Sequence, residues 1–448
     1  VRSKSPQICW GKEENTMTKN GGLLQLVATG KQDVYLTGNP QVSWFKQVYR
    51  RYTNFAVESK RMYFDGSPDF GQRISCLVPR AGDLLGPIFL EVNLPALTFT
   101  NGTAAQYCNS VGHALIKEIS IQIGEQEIDK QNGEFMQINY KLTTQDTKYE
   151  AYNYMIGELG DYPAEGLAGP LRLQIPLQFW FNKSPGSYLP LLALQYHPVR
   201  INIQLRPLKE LVYFSEDIYD LTCNDALPIN TSNFKIENMS MWGDYVFLDV
   251  AERRRFVSTP LEYLITQVQY TPKESIIGTA TTASVDIDFN HPIKEFMWVL
   301  QRSYSALRNE HFNFSNLGYS ETSTSAAGTQ VYRTSMYTDA VLQLDGQDRF
   351  DKRRFDYFSI IQPFQRHTSI PYYLYINNYC FALNPEDMQP SGSLNASRID
   401  TIKLQLDMNS TVADYSSVGR GETYLTVFAI NQNVLRIVDG FGGVLFSV

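Results

Sequence analysis

Apolar and polar residues alternate at period two along much of the chain, a pattern that puts successive side chains on opposite faces of a strand and buries one face. Leu171, Leu173, Ile175, Leu177, Phe179 and Phe181 form one such row. Val199, Ile201, Ile203 and Leu205 alternate with Arg200, Asn202, Gln204 and Arg206, and Ile402, Leu404 and Leu406 alternate with Lys403, Gln405 and Asp407. Ile119, Ile121 and Ile123 repeat the theme, as do Tyr424, Thr426, Phe428 and Ile430. Buried parallel strands would read as unbroken apolar runs, so the alternation predicts antiparallel sheets. Turn clusters such as Asp65-Gly66-Ser67-Pro68, Asn182-Lys183-Ser184-Pro185-Gly186 and Gln389-Pro390-Ser391-Gly392 separate the rows. The fold class expected is all-β.

Helical signals are few. Thr37-Gly38-Asn39-Pro40 supplies a cap and a first-turn proline, after which Trp44, Val48 and Tyr52 recur on one face beside Phe45 and Tyr49. This predicts one short amphipathic helix near the N-terminus. A second is expected after Asn132-Gly133, where Phe135, Ile138 and Leu142 share a face.

Two stretches of the chain resemble each other in matched order. Ile121-Gln122-Ile123-Gly124-Glu125-Gln126-Glu127 is similar to Leu342-Gln343-Leu344-Asp345-Gly346-Gln347-Asp348, and further on Ile201-Asn202-Ile203-Gln204-Leu205 is similar to Ile402-Lys403-Leu404-Gln405-Leu406. Tandem β domains of roughly 200 residues each follow, within the range of single sandwiches. The expected division is a leader or flexible arm at 1–20, an arm with the amphipathic helix at 21–52, a first domain at 53–215, a linker at 216–241 and a second domain at 242–448. Residues 1–16 are polar, lack periodicity and precede Met17, the pattern of a leader, upstream read-in or flexible arm.

Composition narrows the function classes. Of the 448 residues 43% are hydrophobic and 19% charged, which places the chain with folded globular proteins. A net charge of −7 argues against a chain whose main work is neutralising nucleic-acid phosphates. Five cysteines at 9, 76, 108, 223 and 380 are scattered and form no C-x-x-C, so no disulfide framework or zinc ribbon is encoded. No apolar run reaches the ~18 residues of a membrane span, and the first twenty residues hold no apolar signal core.

Few motifs in the chain point to reactive chemistry. Neither Gly11-Lys12 nor Gly30-Lys31 continues into a P-loop, and Gly440, Gly442 and Gly443 do not complete a dinucleotide fingerprint. There is no G-x-S-x-G, no H-E-x-x-H and no kinase signature. The histidines at 113, 197, 291, 311 and 367 are isolated, which speaks against a metal cupin. Asp286 and Asp288 share one strand face and offer an acid/base or metal pair, though a solvated face accounts for them without further assumption. Arg253-Arg254-Arg255 fits a surface or inter-domain ion-pair cluster better than an anion site. The stripe Trp44, Val48 and Tyr52 with Arg50 and Arg51 suits either a partner or the chain's own sheet. Asn-x-Ser/Thr triplets begin at 101, 182, 230, 238, 313, 395 and 409. The expectation is no enzyme, no cofactor and no metal.

Several strings carry a family resemblance. GGLLQLVA (21–28) with QDVYLTGNP (32–40), FKQVYRRYTNFAVES (45–59), GDLLGPIFLEVNLP (82–95) and ERRRF followed by EYLITQVQ (252–269) are similar to the major capsid proteins of large eukaryotic DNA viruses, the chlorella-virus and mimivirus type. FNHPIKE (289–295), LQLDGQDRF (342–350), YFSIIQPFQRHT (357–368), FALNPEDMQPSGSLNASRID (381–400) and NVLRIVDGFGG (433–443) extend it to the C-terminus. Residues 1–20 and Tyr304 to Tyr337 depart from the pattern. The resemblance implies two tandem eight-stranded jelly rolls and a homotrimeric, pseudo-hexagonal capsomer tiling an icosahedral shell. Implied partners are neighbouring capsomers, minor capsid proteins and, through them, an internal viral membrane, with no direct nucleic acid. The virion is the implied location and the host cytoplasm the implied place of assembly. Trp44, Phe45, Arg50 and Arg51 become partner-contact candidates on the inner side of the shell. The stretch from Arg302 to Thr338, with its small-residue run Glu321 to Thr329, becomes an outer loop, and Asn313 its glycosylation candidate. The alternative is a jelly-roll glycan-binding or attachment protein, for which the 28 tyrosines supply platforms.

Overall fold

The computed structural model describes residues 21–97, 105–158, 170–214, 234–277, 280–316, 333–409 and 422–446. They fall into two bodies, one ending at Tyr52 and the other starting at Thr53. In the first body, helices span Gly21–Val27 and Lys31–Thr37. The second of these ends where the Gly38 N–H closes on the Val34 carbonyl at 2.8 Å, and Asn39 then turns left-handed with φ 52° ahead of Pro40. The expected helix from Pro40 to Tyr52 does not form. Its aromatic and β-branched residues are weak helix formers, and a helix this short needs a packing surface that nothing in this body supplies.

The second body is built on two sets of eight main strands. The first set is β1 (Phe55–Met62), β2 (Arg73–Leu77), β3 (Leu84–Leu94), β4 (Ile116–Ile123), β5 (Gln126–Asn132), β6 (Leu171–Pro176), β7 (Val199–Leu205) and β8 (Asn238–Leu248). The second is β9 (Leu261–Tyr270), β10 (Thr282–Ile287), β11 (Pro292–Arg302), β12 (Tyr337–Leu344), β13 (Gln347–Asp348), β14 (Asn377–Cys380), β15 (Ile402–Met408) and β16 (Glu422–Val438). The first set forms antiparallel sheets ordered β1-β8-β3-β6 and β2-β7-β4-β5; the second forms β9-β16-β11-β14 and β10-β15-β12-β13. Adding eight to every strand of the first pair yields the second pair. The duplicated strings meet at equivalent places, with Ile121 opposite Ile201 in one set and Leu342 opposite Leu404 in the other.

Two boundaries differ from expectation. β8 lies between β1 and β3 and runs to Leu248, so a division at 241/242 would cut a strand of the first set. Most of the expected linker, from 216 to 233, lies outside the described residues. The row from Leu171 to Phe181 is a strand only to Pro176, where a residue without an N–H ends the ladder, and the buried Trp180 and Phe181 continue in a 3₁₀ turn. Helices are also more numerous than expected. Gly133–Thr143 forms as predicted, with the Asn132 side chain accepting from Phe135 N at 2.7 Å, but Asp146–Ile156 and Val250–Ser258 join it. Both of these bury almost none of their residues, so no apolar stripe announced them.

One core lies between the two sheets of the first set, where Leu90, Val92, Leu173, Ile121, Ile201 and Ile203 meet. A second lies between the sheets of the other set, around Phe296, Trp298, Leu342, Leu404, Leu406 and Val427. The β9-β16-β11-β14 sheet belongs to both, because Met297, Val299, Phe428 and Ile430 turn the other way into the first core. β11 exposes no residue, even though it contains Lys294, Glu295, Gln301 and Arg302. Polar contacts seal the junction: Val268 N donates to the Asp129 carboxylate at 2.9 Å, the Gln267 amide donates to the Ile128 carbonyl, and Val444 N donates to Gln126 Oε1 at 3.2 Å.

Burial also sets charge states. His113, held between Gln137 at 2.6 Å and Tyr152 at 3.2 Å, is pushed down to about 4 by burial. Burial and then the neighbouring Arg206 take His311 down to about 4, while burial raises Asp129 to about 6.

Two outcomes follow from this packing. A Cβ on Gly133 would sit 2.2 Å from the His113 carbonyl oxygen and 2.5 Å from that of Ile116, and neither backbone group can move freely. Gly133→Ala should therefore lower stability by about 2 kcal/mol or more in urea unfolding, and an unchanged midpoint would contradict the close approach. The buried histidines make stability depend on pH. In the unfolded chain they take protons near 6.5 and in the folded chain only near 4, so the stability they contribute is complete above 6.5 and lost as pH falls from 6.5 to 4. Asp129 runs oppositely, its penalty easing as pH falls from about 6 towards 3.8. With two groups against one of similar size, a net loss of about 3 kcal/mol is expected between pH 7 and 4. A urea midpoint at fixed protein concentration that stays level over this range would overturn that account.

Candidate functional site

The arm carries the residues singled out for partner contact. Trp44 is 90% exposed and Phe45 fully so, with Arg50 and Arg51 also in solvent. Leu23, Leu24, Leu26, Tyr35, Leu36, Tyr49 and Tyr52 are exposed in the same body. Lacking the expected helix, these side chains do not form one stripe; they are a string of apolar groups on two short helices and a following segment without regular structure.

A second apolar surface comes from the connection between β13 and β14. It contains the helical turns Tyr357–Ile361 and Gln362–Arg366, and it exposes Phe364, Tyr372 and Tyr373 to between 52% and 74%. The equivalent connection of the first set, between β5 and β6, is also helical and leaves Tyr154 84% exposed. Both sets thus push apolar groups outward from the same point in their topology. The sequence concealed this, because single exposed aromatics among polar residues have no period to detect.

The remaining candidates are placed as follows. Arg253 lies on the helix Val250–Ser258 between the two sets and pairs with Asp83 at 3.1 Å, while Arg254 and Arg255 face solvent. Asp286 and Asp288 are exposed, and Asp286 pairs with Lys403 at 3.2 Å, as the solvated-face reading requires. Asn313, the glycosylation candidate, is 3% exposed, its amide donates to Glu310 at 2.7 Å and its carbonyl accepts from Ser315. The described flanks of the supposed outer loop are likewise buried at Ser305, Phe312, Phe314 and Asn316. The run Glu321 to Thr329 lies outside the described residues.

One reactive-looking group was missed altogether. On the face of the third sheet that turns to the first set, Glu295 Oε2 lies 2.9 Å from His367 Nε2, and the Cys380 thiol lies 3.6 Å from that carboxylate and 3.7 Å from the ring. Burial opposes an imidazolium here, but the Glu295 carboxylate outweighs it and raises His367 to about 12. Despite its own burial, Glu295 is held below the usual carboxylate range by His367. A nucleophilic role for the thiol would need a thiolate and access, and burial pushes Cys380 up to about 12. No spacing in the sequence joins these residues, which arrive from β11, β14 and the loop after Gln362–Arg366.

Comparison with known proteins accounts for both sets. A family described as "Major capsid protein N-terminus" matches residues 43–249, and one described as "Large eukaryotic DNA virus major capsid protein" matches residues 252–443. The chain is 36% identical over 453 residues to the major capsid protein of Pyramimonas orientalis virus, covering 95% of this chain and 99% of that one. It is 36% identical over 456 residues to the major capsid protein of Paramecium bursaria Chlorella virus 1, with the same shares covered. Among solved structures, the protein of the PBCV-1 virus capsid superposes with a TM-score of 0.73 at 30% identity over 91% of this chain and all of that one. The Faustovirus major capsid protein, at 13% identity and a TM-score of 0.69 over 92% of this chain and 94% of that one, shares the fold.

Proposed function

The chain belongs to the major capsid proteins of large eukaryotic DNA viruses, structural proteins and not enzymes, and on that premise we propose that three copies of it close into a pseudo-hexagonal capsomer. It forms the capsid of a large DNA virus. In this reading the two sets of strands are tandem eight-stranded jelly rolls, the first from about Thr53 to Leu248 and the second from about Leu261 to the C-terminus. The observation that carries it is the repeated strand order, in which each strand of one set has its counterpart eight strands later. A chain with two similar sets offers two similar edges, so three chains around a threefold axis present six and tile a hexagonal lattice. Function then consists of burying surface between copies. The apolar groups displayed from equivalent connections of both sets, Tyr154 in one and Phe364, Tyr372 and Tyr373 in the other, suit contacts between chains, since exposed apolar clusters mark association sites.

The arm takes a different role. Its Leu, Trp, Phe and Tyr side chains are costly to leave in water, each worth roughly 1.5 to 3 kcal/mol when fully buried. Arg50 and Arg51 add positive charge beside them. This combination supports docking of the arm on the inner side of the shell, against minor capsid proteins that lie over an internal membrane, with assembly in the host cytoplasm. Neighbouring capsomers would meet through the outer rims of the jelly rolls.

Light scattering of the purified chain should give three times the chain mass, with an interface of well over ~2,000 Å². Phe364→Asp should weaken trimer formation by tenfold or more, as expected for truncating an interface aromatic. A wild-type chain that stays monomeric at micromolar concentration would refute the capsomer. Deleting residues 21–44 should leave trimers intact but prevent regular shells, so normal particles from that variant would remove the arm from assembly.

A further inference from the structure

The buried cluster on the third sheet has the geometry of a ligand set. Glu295 of β11 lies opposite Cys380 of β14, and His367 reaches them from the loop that follows Gln362–Arg366. Their donor atoms are separated by 3.6 Å from S to O, 3.7 Å from S to N and 2.9 Å from N to O. Zinc bonds of about 2.3 Å to sulfur and about 2.0 to 2.2 Å to nitrogen or oxygen place the donors of a tetrahedral site roughly 3.3 to 3.6 Å apart. Three corners of such a site are therefore nearly in place, on side chains 9% exposed or less.

Two neighbours complete the pattern. His367 Nδ1 lies 3.2 Å from the Glu386 carboxylate, which is itself held by Thr368 N at 2.8 Å. A carboxylate on the far ring nitrogen is the arrangement that orients a metal-bound histidine and fixes its tautomer. Asn378, fully buried on the same face of β14 as Cys380, has Nδ2 3.6 Å from the thiol and Oδ1 without a hydrogen-bond partner. A half-turn of this amide exchanges the two atoms and offers Oδ1 as a fourth donor.

We propose that Cys380, His367 and Glu295, with Asn378 in the fourth position, bind one zinc-class divalent ion. One soft thiolate, one imidazole and one carboxylate select such an ion over magnesium or calcium. Loading exchanges the ion for the Cys380 thiol proton and the proton on His367 Nε2, both released to solvent, with no change of oxidation state. Thiolate and carboxylate then balance the two positive charges. The ion would tie the outward-facing β13–β14 connection to the sheet beneath it. The proposal is independent of the capsomer reading, because it concerns the single chain.

The test uses the full chain equilibrated with zinc and then dialysed against metal-free buffer. One zinc per chain is expected. Cobalt(II) in its place should give thiolate-to-metal charge-transfer absorption together with the strong visible bands of a tetrahedral ion. Cys380→Ser should abolish the charge-transfer band, and Glu386→Gln should weaken zinc binding by about 10- to 100-fold. A wild-type chain that retains no zinc, or a cobalt spectrum without a thiolate band, would overturn the site however the variants fold. Full zinc retention by a folded Cys380→Ser chain would do the same.

Discussion

A sheet covered on both faces must satisfy every polar group it carries from within the protein, and the β9-β16-β11-β14 sheet is under that constraint. β16 is buried without a break from Leu425 to Asn433, and β11 from Ile293 to Arg302. Toward the second core the sheet presents apolar side chains. Toward the first set it also presents Glu295, Gln267, Asn431 and Asn433, each of which is paired. An unpaired charge there would cost several kcal/mol. The contacts of Asp129, Ile128 and Gln126 with the second set meet the same demand from the opposite side, and they make the two sets one body.

The same constraint decides what could be read from the sequence. β4, β7 and β15 keep one wet face, so their isoleucines and leucines alternate with polar residues and the strands are legible, register included. β11 has no wet face, and Lys294, Glu295, Gln301 and Arg302 look like surface residues in the sequence while lying inside the protein. The helix Gly133–Thr143 was legible because its cap and its apolar face coincide at Asn132-Gly133 and Phe135. Asp146–Ile156 buries a single residue and so left no stripe. In the arm, the spacing of Trp44, Val48 and Tyr52 suggests a helix for which its own body offers no packing surface. Asn313 shows a further limit, since a triplet specifies a side-chain chemistry and says nothing of burial. Glu295, His367 and Cys380 illustrate the strongest limit: they are brought together by strand pairing and by a loop returning over the sheet, relations that no local window contains.

Duplication links the fold to its use. Both sets place helices at one equivalent connection and keep the strand order around it unchanged. The framework can therefore display different apolar groups at equivalent edges without altering the ladders beneath. Among the described residues the third sheet differs in packing part of its second face into the core of the other set.

That lost face also governs how the protein can change over time. On β7 and β15 a substitution at an outward position meets water and is tolerated, so these strands can drift freely as viral lineages diverge. On β11 nearly every substitution meets a packed neighbour or strands a buried polar group. The interior strand should thus tolerate fewer changes than the half-exposed strands β7 and β15.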